Sequence, residues 1–170
     1  MNTPNKLTLA RMIATPIFMA IMLIEAIPYR FLIALVLFSA ASLTDMIDGK
    51  MARKYNLVTD FGKFLDPLAD KMLTTSAYLG FVFVYGGTKY AWGMVAILFI
   101  VLFREFMVSS LRLVTVSSGG KVVAANIWGK SKTVSQMVSI ILALAAYAVE
   151  EIFGLSAGVM NTVNLVIVIV

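Results

Sequence analysis

Asp45, Asp48, Asp66 and Asp70 stand at fixed spacings around Gly49, Ala52, Arg53 and Gly62, in the pattern D-x2-D-G-x2-A-R-x8-G-x3-D-x3-D. On a helix, Asp45, Asp48 and Ala52 fall at i, i+3 and i+7 and share a face. Gly62, Asp66 and Asp70 are spaced by four and form a second stripe. Two such stripes, facing each other, surround a volume that could hold one or two divalent ions. Carboxylates offer hard oxygen ligands, which suit Mg²⁺ and Mn²⁺. A metal pair can clamp a phosphoryl group by stabilising the attacking and leaving oxygens together. Glycine and alanine at these places let a ligand or a neighbouring helix approach the backbone. Asp60 lies inside the stretch but off its spacing, and reads as an N-cap or a solvated acid. Pro67 either starts the second helix at N1, with Asp66 as cap, or kinks it.

Acids are costly in or near a bilayer, and this chain has the composition of a membrane protein. It is 61% hydrophobic over 170 residues, with a mean hydropathy of +0.93. Soluble domains are usually about half apolar. There is no cysteine, which excludes disulfides, thiolate chemistry and Cys-based zinc sites. There is no histidine either, so any general base is a carboxylate, a lysine or a tyrosine. The net charge of +5 points to membrane orientation and anionic lipid.

The elements that must position the acids read as six apolar spans, at 7–25, 30–53, 62–85, 91–115, 131–150 and 154–170. Each is near the ~20 residues that cross ~30 Å of hydrocarbon. The joints are the stretch around Pro28, Lys54 to Phe61, Gly86 to Lys89, Val116 to Gly129, and Glu150-Glu151. The expected fold is therefore an all-α integral membrane protein of six transmembrane helices, one domain over 1–170. The lack of a polar tail after Val170 suggests a truncated C-terminus. With the N-terminus in the cytoplasm, the cytoplasmic ends carry Lys6, Arg11, Lys50, Arg53, Lys54, Lys63, Lys71, Arg104, Arg112, Lys121, Lys130 and Lys132. The outer joints carry only Arg30 and Lys89. Twelve against two satisfies the positive-inside rule. It puts both termini and the four acids on the cytoplasmic side, with Glu150 and Glu151 outside.

The Asp45–Asp70 array resembles the signature of the CDP-alcohol phosphotransferase family at every specified position. The resemblance implies a homodimeric membrane enzyme that moves a substituted phosphate from a CDP-linked donor to an alcohol and releases CMP. By position it implies Asp45, Asp48, Asp66 and Asp70 as ligands of Mg²⁺ or Mn²⁺, two ions in all, with Asp70 also the catalytic base. It assigns the cytidine diphosphate pocket to Asp45, Asp48, Gly49, Ala52, Arg53 and Gly62.

Three further segments are similar to those of the bacterial phosphatidylglycerophosphate synthases in that family. They are Asn2 to Arg11, Arg104-Glu105 to Arg112, and Gly129 to Gln136. The implied donor is CDP-diacylglycerol, the acceptor sn-glycerol 3-phosphate, and the site of action the bacterial cytoplasmic membrane. Arg104, Arg112 and Lys132 are the expected partners of the acceptor phosphate, joined by Thr8, Arg11 and Thr133. Arginine offers phosphate a planar fork and lysine a point charge. The competing reading for Arg104 is an ion pair with Glu105 or another acid; for Arg112 and Lys132 it is snorkelling.

Two alternatives remain at this level. The same chemistry would serve another acceptor, such as an inositol phosphate. A divalent-cation transporter also carries intramembrane acids, but its sites tend to sit near the bilayer midplane. These acids sit at one end of their spans, beside a glycine and an arginine suited to phosphate.

Overall fold

The computed structural model describes residues 3–54, 60–117 and 127–154, with side chains described for 5–45, 65–111, 114 and 133–154. Among the described residues five helices follow in order: α1 (Thr3–Leu23), α2 (Arg30–Lys54), α3 (Asp60–Val84), α4 (Ala91–Ser117) and α5 (Ile127–Phe153). The sixth expected span lies outside the described residues, apart from Gly154. Among the described residues, three stretches are long and apolar enough to cross a membrane: Asn5–Leu23, Ala91–Leu111 and Thr133–Phe153. Helices α2 and α3, which carry the acids, have 25 residues each. At 1.5 Å per residue each is about 37 Å long, enough for the hydrocarbon with length to spare.

Apolar residues surround these helices instead of forming one stripe, the pattern of helices in an apolar solvent. Ile13, Ile17, Val36, Phe83, Phe99 and Leu142 all face outward. Between helices the buried positions include Ala34, Ala41, Ala69, Ala77, Ala143 and Ala148. Lipid offers helices no hydrophobic incentive to associate, so close packing through small residues does that work. Helix α1 lies against both α2 and α3, α2 against α5, and α3 also touches α4 and α5. Phe18 meets Phe38 at 5.7 Å between ring centroids, joining α1 to α2. Tyr147 of α5 stands against Phe31 at 4.9 Å and Phe81 at 6.3 Å, closing α2, α3 and α5 around one aromatic group. Gly80 receives Met22: a Cβ there would meet its sulfur at 2.7 Å.

Helix ends correct one sequence expectation and remove one of two readings of another. Glu150-Glu151 does not break a helix, because α5 continues through both to Phe153. Charge alone does not end a helix; Gly154 does. Its φ of 62° is the left-handed conformation of a C-terminal glycine, and its N–H bonds the Glu150 carbonyl at 2.8 Å. Pro67 is neither at N1 nor preceded by a capping Asp66. It lies inside α3, which begins at Asp60. Proline removes one backbone bond there, and the helix persists on either side.

Glu151 then performs a task far from its own sequence. Its two carboxylate oxygens accept from the backbone N–H groups of Arg30 and Phe31, at 3.1 and 3.2 Å. The first N–H groups of a helix lack internal partners and carry partial positive charge. The α5 terminus therefore caps the start of α2. Glu151→Ala is expected to cost about 1 kcal/mol, with Glu151→Gln losing less. Thermal unfolding of the detergent-solubilised variants measures this, and unchanged midpoints would remove the cap from the account.

Candidate functional site

Asp45 lies in the C-terminal half of α2, while Asp66 and Asp70 lie in the N-terminal half of α3. Antiparallel neighbours joined end to start bring these positions to one end of the bundle, and the contacts of α1 bear this out. The Thr8 hydroxyl donates to Asp66 Oδ1 at 2.7 Å. The Arg11 guanidinium pairs with Asp45 Oδ1. Thr8 and Arg11 are one turn apart, so α1 touches an acid from each of the other two helices within a single turn.

Exposure differs among the acids. Asp66 is exposed, whereas Asp45 and Asp70 are half-buried. Thr8 and Arg11 are fully enclosed. The protein therefore encloses the groups that hold the carboxylates and leaves the carboxylates themselves accessible to a ligand. The Thr74 hydroxyl donates to the Asp70 backbone carbonyl at 3.0 Å.

Helix α4 closes another flank. Lys71 Nζ donates to Ser109 Oγ at 2.5 Å and lies 3.8 Å from Glu105. Glu105 also pairs with Arg104 at 3.2 Å. Arg104 thus takes the ion pair that competes with a phosphate role, on an exposed part of α4. Thr133 is half-buried near the start of α5.

The remaining expected site residues fall where side chains are not described. Asp48, Gly49, Ala52 and Arg53 are on α2, Gly62 on α3, Arg112 on α4 and Lys132 on α5. Among the described residues no three acidic side chains close on one point. The donors that are described suit a hard cation: carboxylate oxygens from two helices, with no sulfur or imidazole in the chain. Thr8 occupies one oxygen of Asp66 and leaves the other for a ligand.

Sequence reasoning missed the part played by α1. Thr8 and Arg11 were expected to meet a phosphate, yet each meets an acid of the motif. A signal was present: Asn5, Thr8, Arg11 and Thr15 recur at helical spacing within an apolar segment. The Lys71 link to α4 had no comparable signal.

A family model described as CDP-alcohol phosphatidyltransferase matches residues 1–170. A protein of Bacillus subtilis (strain 168), named CDP-diacylglycerol--glycerol-3-phosphate 3-phosphatidyltransferase, is 46% identical over 150 residues, covering 82% of this chain and 74% of that protein. A protein of the same name from Rickettsia bellii (strain RML369-C) is 41% identical over 143 residues, covering 82% and 72%. Another of that name, from Escherichia coli (strain K12), is 36% identical over 140 residues, covering 82% and 74%.

Proposed function

The chain belongs to the CDP-alcohol phosphatidyltransferase family, and from that membership we infer that it transfers the phosphatidyl group of CDP-diacylglycerol to sn-glycerol 3-phosphate. The products are phosphatidylglycerophosphate and CMP. The observation that carries this reading is the 46% identity to the Bacillus subtilis protein named for that reaction. Supporting it, Asp45 and Asp66, from different helices, are held by the same turn of α1.

The mechanism uses Asp70 as base. It takes the proton from the glycerol 1-hydroxyl, and that oxygen attacks the lipid-bearing β-phosphorus. A new P–O bond forms in line, the bond from that phosphorus to the bridging oxygen breaks, and CMP leaves with the bridging oxygen. Asp45, Asp48, Asp66 and Asp70 would hold Mg²⁺ or Mn²⁺. The metal would supply charge stabilisation for the attacking and leaving oxygens. Asp45, Asp48, Gly49, Ala52, Arg53 and Gly62 line the cytidine diphosphate pocket in this reading. The acyl chains stay in the bilayer, and the chain acts as a homodimer in the bacterial cytoplasmic membrane. Light scattering of the solubilised protein measures that mass.

The deciding experiment offers purified protein CDP-diacylglycerol with one acceptor at a time and follows CMP. Glycerol 3-phosphate should support release; inositol phosphate, serine and inositol should not. Release with inositol phosphate alone would keep the chemistry and replace the acceptor. No release with any of them would overturn the enzymatic reading.

Arg112 and Lys132 are assigned to the acceptor phosphate. A charge-assisted bond contributes about 1.5–3 kcal/mol. Arg112→Ala and Lys132→Ala are therefore each expected to raise the KM for glycerol 3-phosphate about tenfold or more, with a smaller effect on the donor. Snorkelling side chains would leave both constants unchanged. A weakened donor would move these cations to the diphosphate.

The site faces the cytoplasm in this reading, on the strength of the twelve-to-two distribution of Lys and Arg. The chain has no cysteine, so single cysteines at positions 54 and 130 report orientation without background. They should resist an impermeant thiol reagent in intact cells. Labelling from outside would invert the topology.

A further inference from the structure

Helix α1 buries a line of polar side chains: Asn5 is 6% exposed, Thr8 0%, Arg11 3% and Thr15 2%. Spacings of three and four put them on one face. A helix required only to cross a bilayer would place apolar residues there, because buried polar groups cost free energy unless they are bonded. Here Thr8 and Arg11 each have a partner, and each partner is a motif acid on another helix. Below them, the Thr15 hydroxyl donates to the Arg11 carbonyl at 3.0 Å, tying the line together.

We propose that Thr8 and Arg11 are positioning residues, through which α1 aims Asp66 and Asp45 at the bound cation. The inference rests on the metal reading of the four acids. A hydrogen bond to Oδ1 stops the Asp66 carboxylate from turning about its last torsion, and so presents Oδ2 to a ligand. Asp66 needs this restraint because it is exposed. Arg11 does the same for Asp45, and adds a positive charge where four carboxylates must share one region before a cation arrives. Its planar fork fixes direction in a way that an ammonium cannot. In this reading the motif acids, and not the acceptor phosphate, are the partners of both side chains.

The test titrates the purified chain of residues 1–170 in detergent with Mn²⁺ alone, without either substrate, and follows free Mn²⁺ by electron paramagnetic resonance. Wild type should bind and Asp66→Asn should bind poorly. Partners that orient metal ligands usually contribute about 10–100-fold in affinity, so Thr8→Val and Arg11→Lys should each weaken Mn²⁺ by about that factor. Thr8→Ser keeps the hydroxyl and should bind as wild type does. The KM for glycerol 3-phosphate should change little in the Thr8 and Arg11 variants. Absence of Mn²⁺ binding by wild type would overturn the metal reading itself. Binding by wild type, Thr8→Val and Arg11→Lys with equal affinity would overturn the positioning role alone. A raised acceptor KM with unchanged Mn²⁺ affinity would return Thr8 and Arg11 to the phosphate. Should Thr8→Val fail to melt cooperatively, Arg11→Lys decides: wild-type Mn²⁺ affinity in that variant would overturn the positioning role.

Discussion

Asp70→Asn is expected to lower CMP release by about 10²–10⁴-fold, the usual cost of losing a general base, while CDP-diacylglycerol still binds. Asparagine keeps the size and one carbonyl oxygen of aspartate but cannot accept the proton of a hydroxyl. With no histidine in the chain, no imidazole can substitute. The nearest lysine in sequence, Lys71, is bonded to Ser109 and close to Glu105 on α4. Asp70 also follows Asp66 by one turn, on the same stripe of α3. Single-turnover measurement with saturating donor separates binding from chemistry. Turnover near the wild-type rate would remove Asp70 from the mechanism. A variant that binds donor but has lost Mn²⁺ would make Asp70 chiefly a metal ligand.

Exhaustive chelation should abolish CMP release, and added Mg²⁺ or Mn²⁺ should restore it. In the proposed mechanism the acceptor and the donor both bring phosphate charge to the acids of the motif. Without divalent charge the anions repel one another, and the positive side chains described near the acids are engaged: Arg11 with Asp45, and Lys71 with Ser109 and Glu105. The loss should therefore be complete, unlike the partial losses expected at Arg112 or Lys132. Undiminished CMP release in chelated enzyme would show that the acids serve something other than a cation.

Most of the helical framework was legible in the chain. Hydropathy located the five described helices, and Gly86 to Lys89 marked the α3–α4 turn. The errors came from local signals that tertiary context overrode. The paired glutamates looked like an end, yet Glu151 remains in α5 because its carboxylate has the start of α2 to bond. Pro67 left two readings open, a first helical position or a kink, and the start of α3 seven residues earlier, at Asp60, removes the first. A proline inside a helix loses one bond, and neighbouring helices can compensate for that loss.

The amino-acid order by itself determined the acid stripes, because residues three and four apart share a helix face whatever that face packs against. It also determined the solvent, since an apolar surface all round leaves a helix only lipid or another helix to meet. Tertiary structure alone decided which faces meet. Thr8 pairs with Asp66 from 58 residues away, Arg11 with Asp45 from 34, and Arg30 with Glu151 from 121. Helical periodicity says nothing across such distances. The partner of a buried threonine is set by how α1 settles against α2 and α3, and that depends on the fit of Phe18 to Phe38 and of Met22 to Gly80.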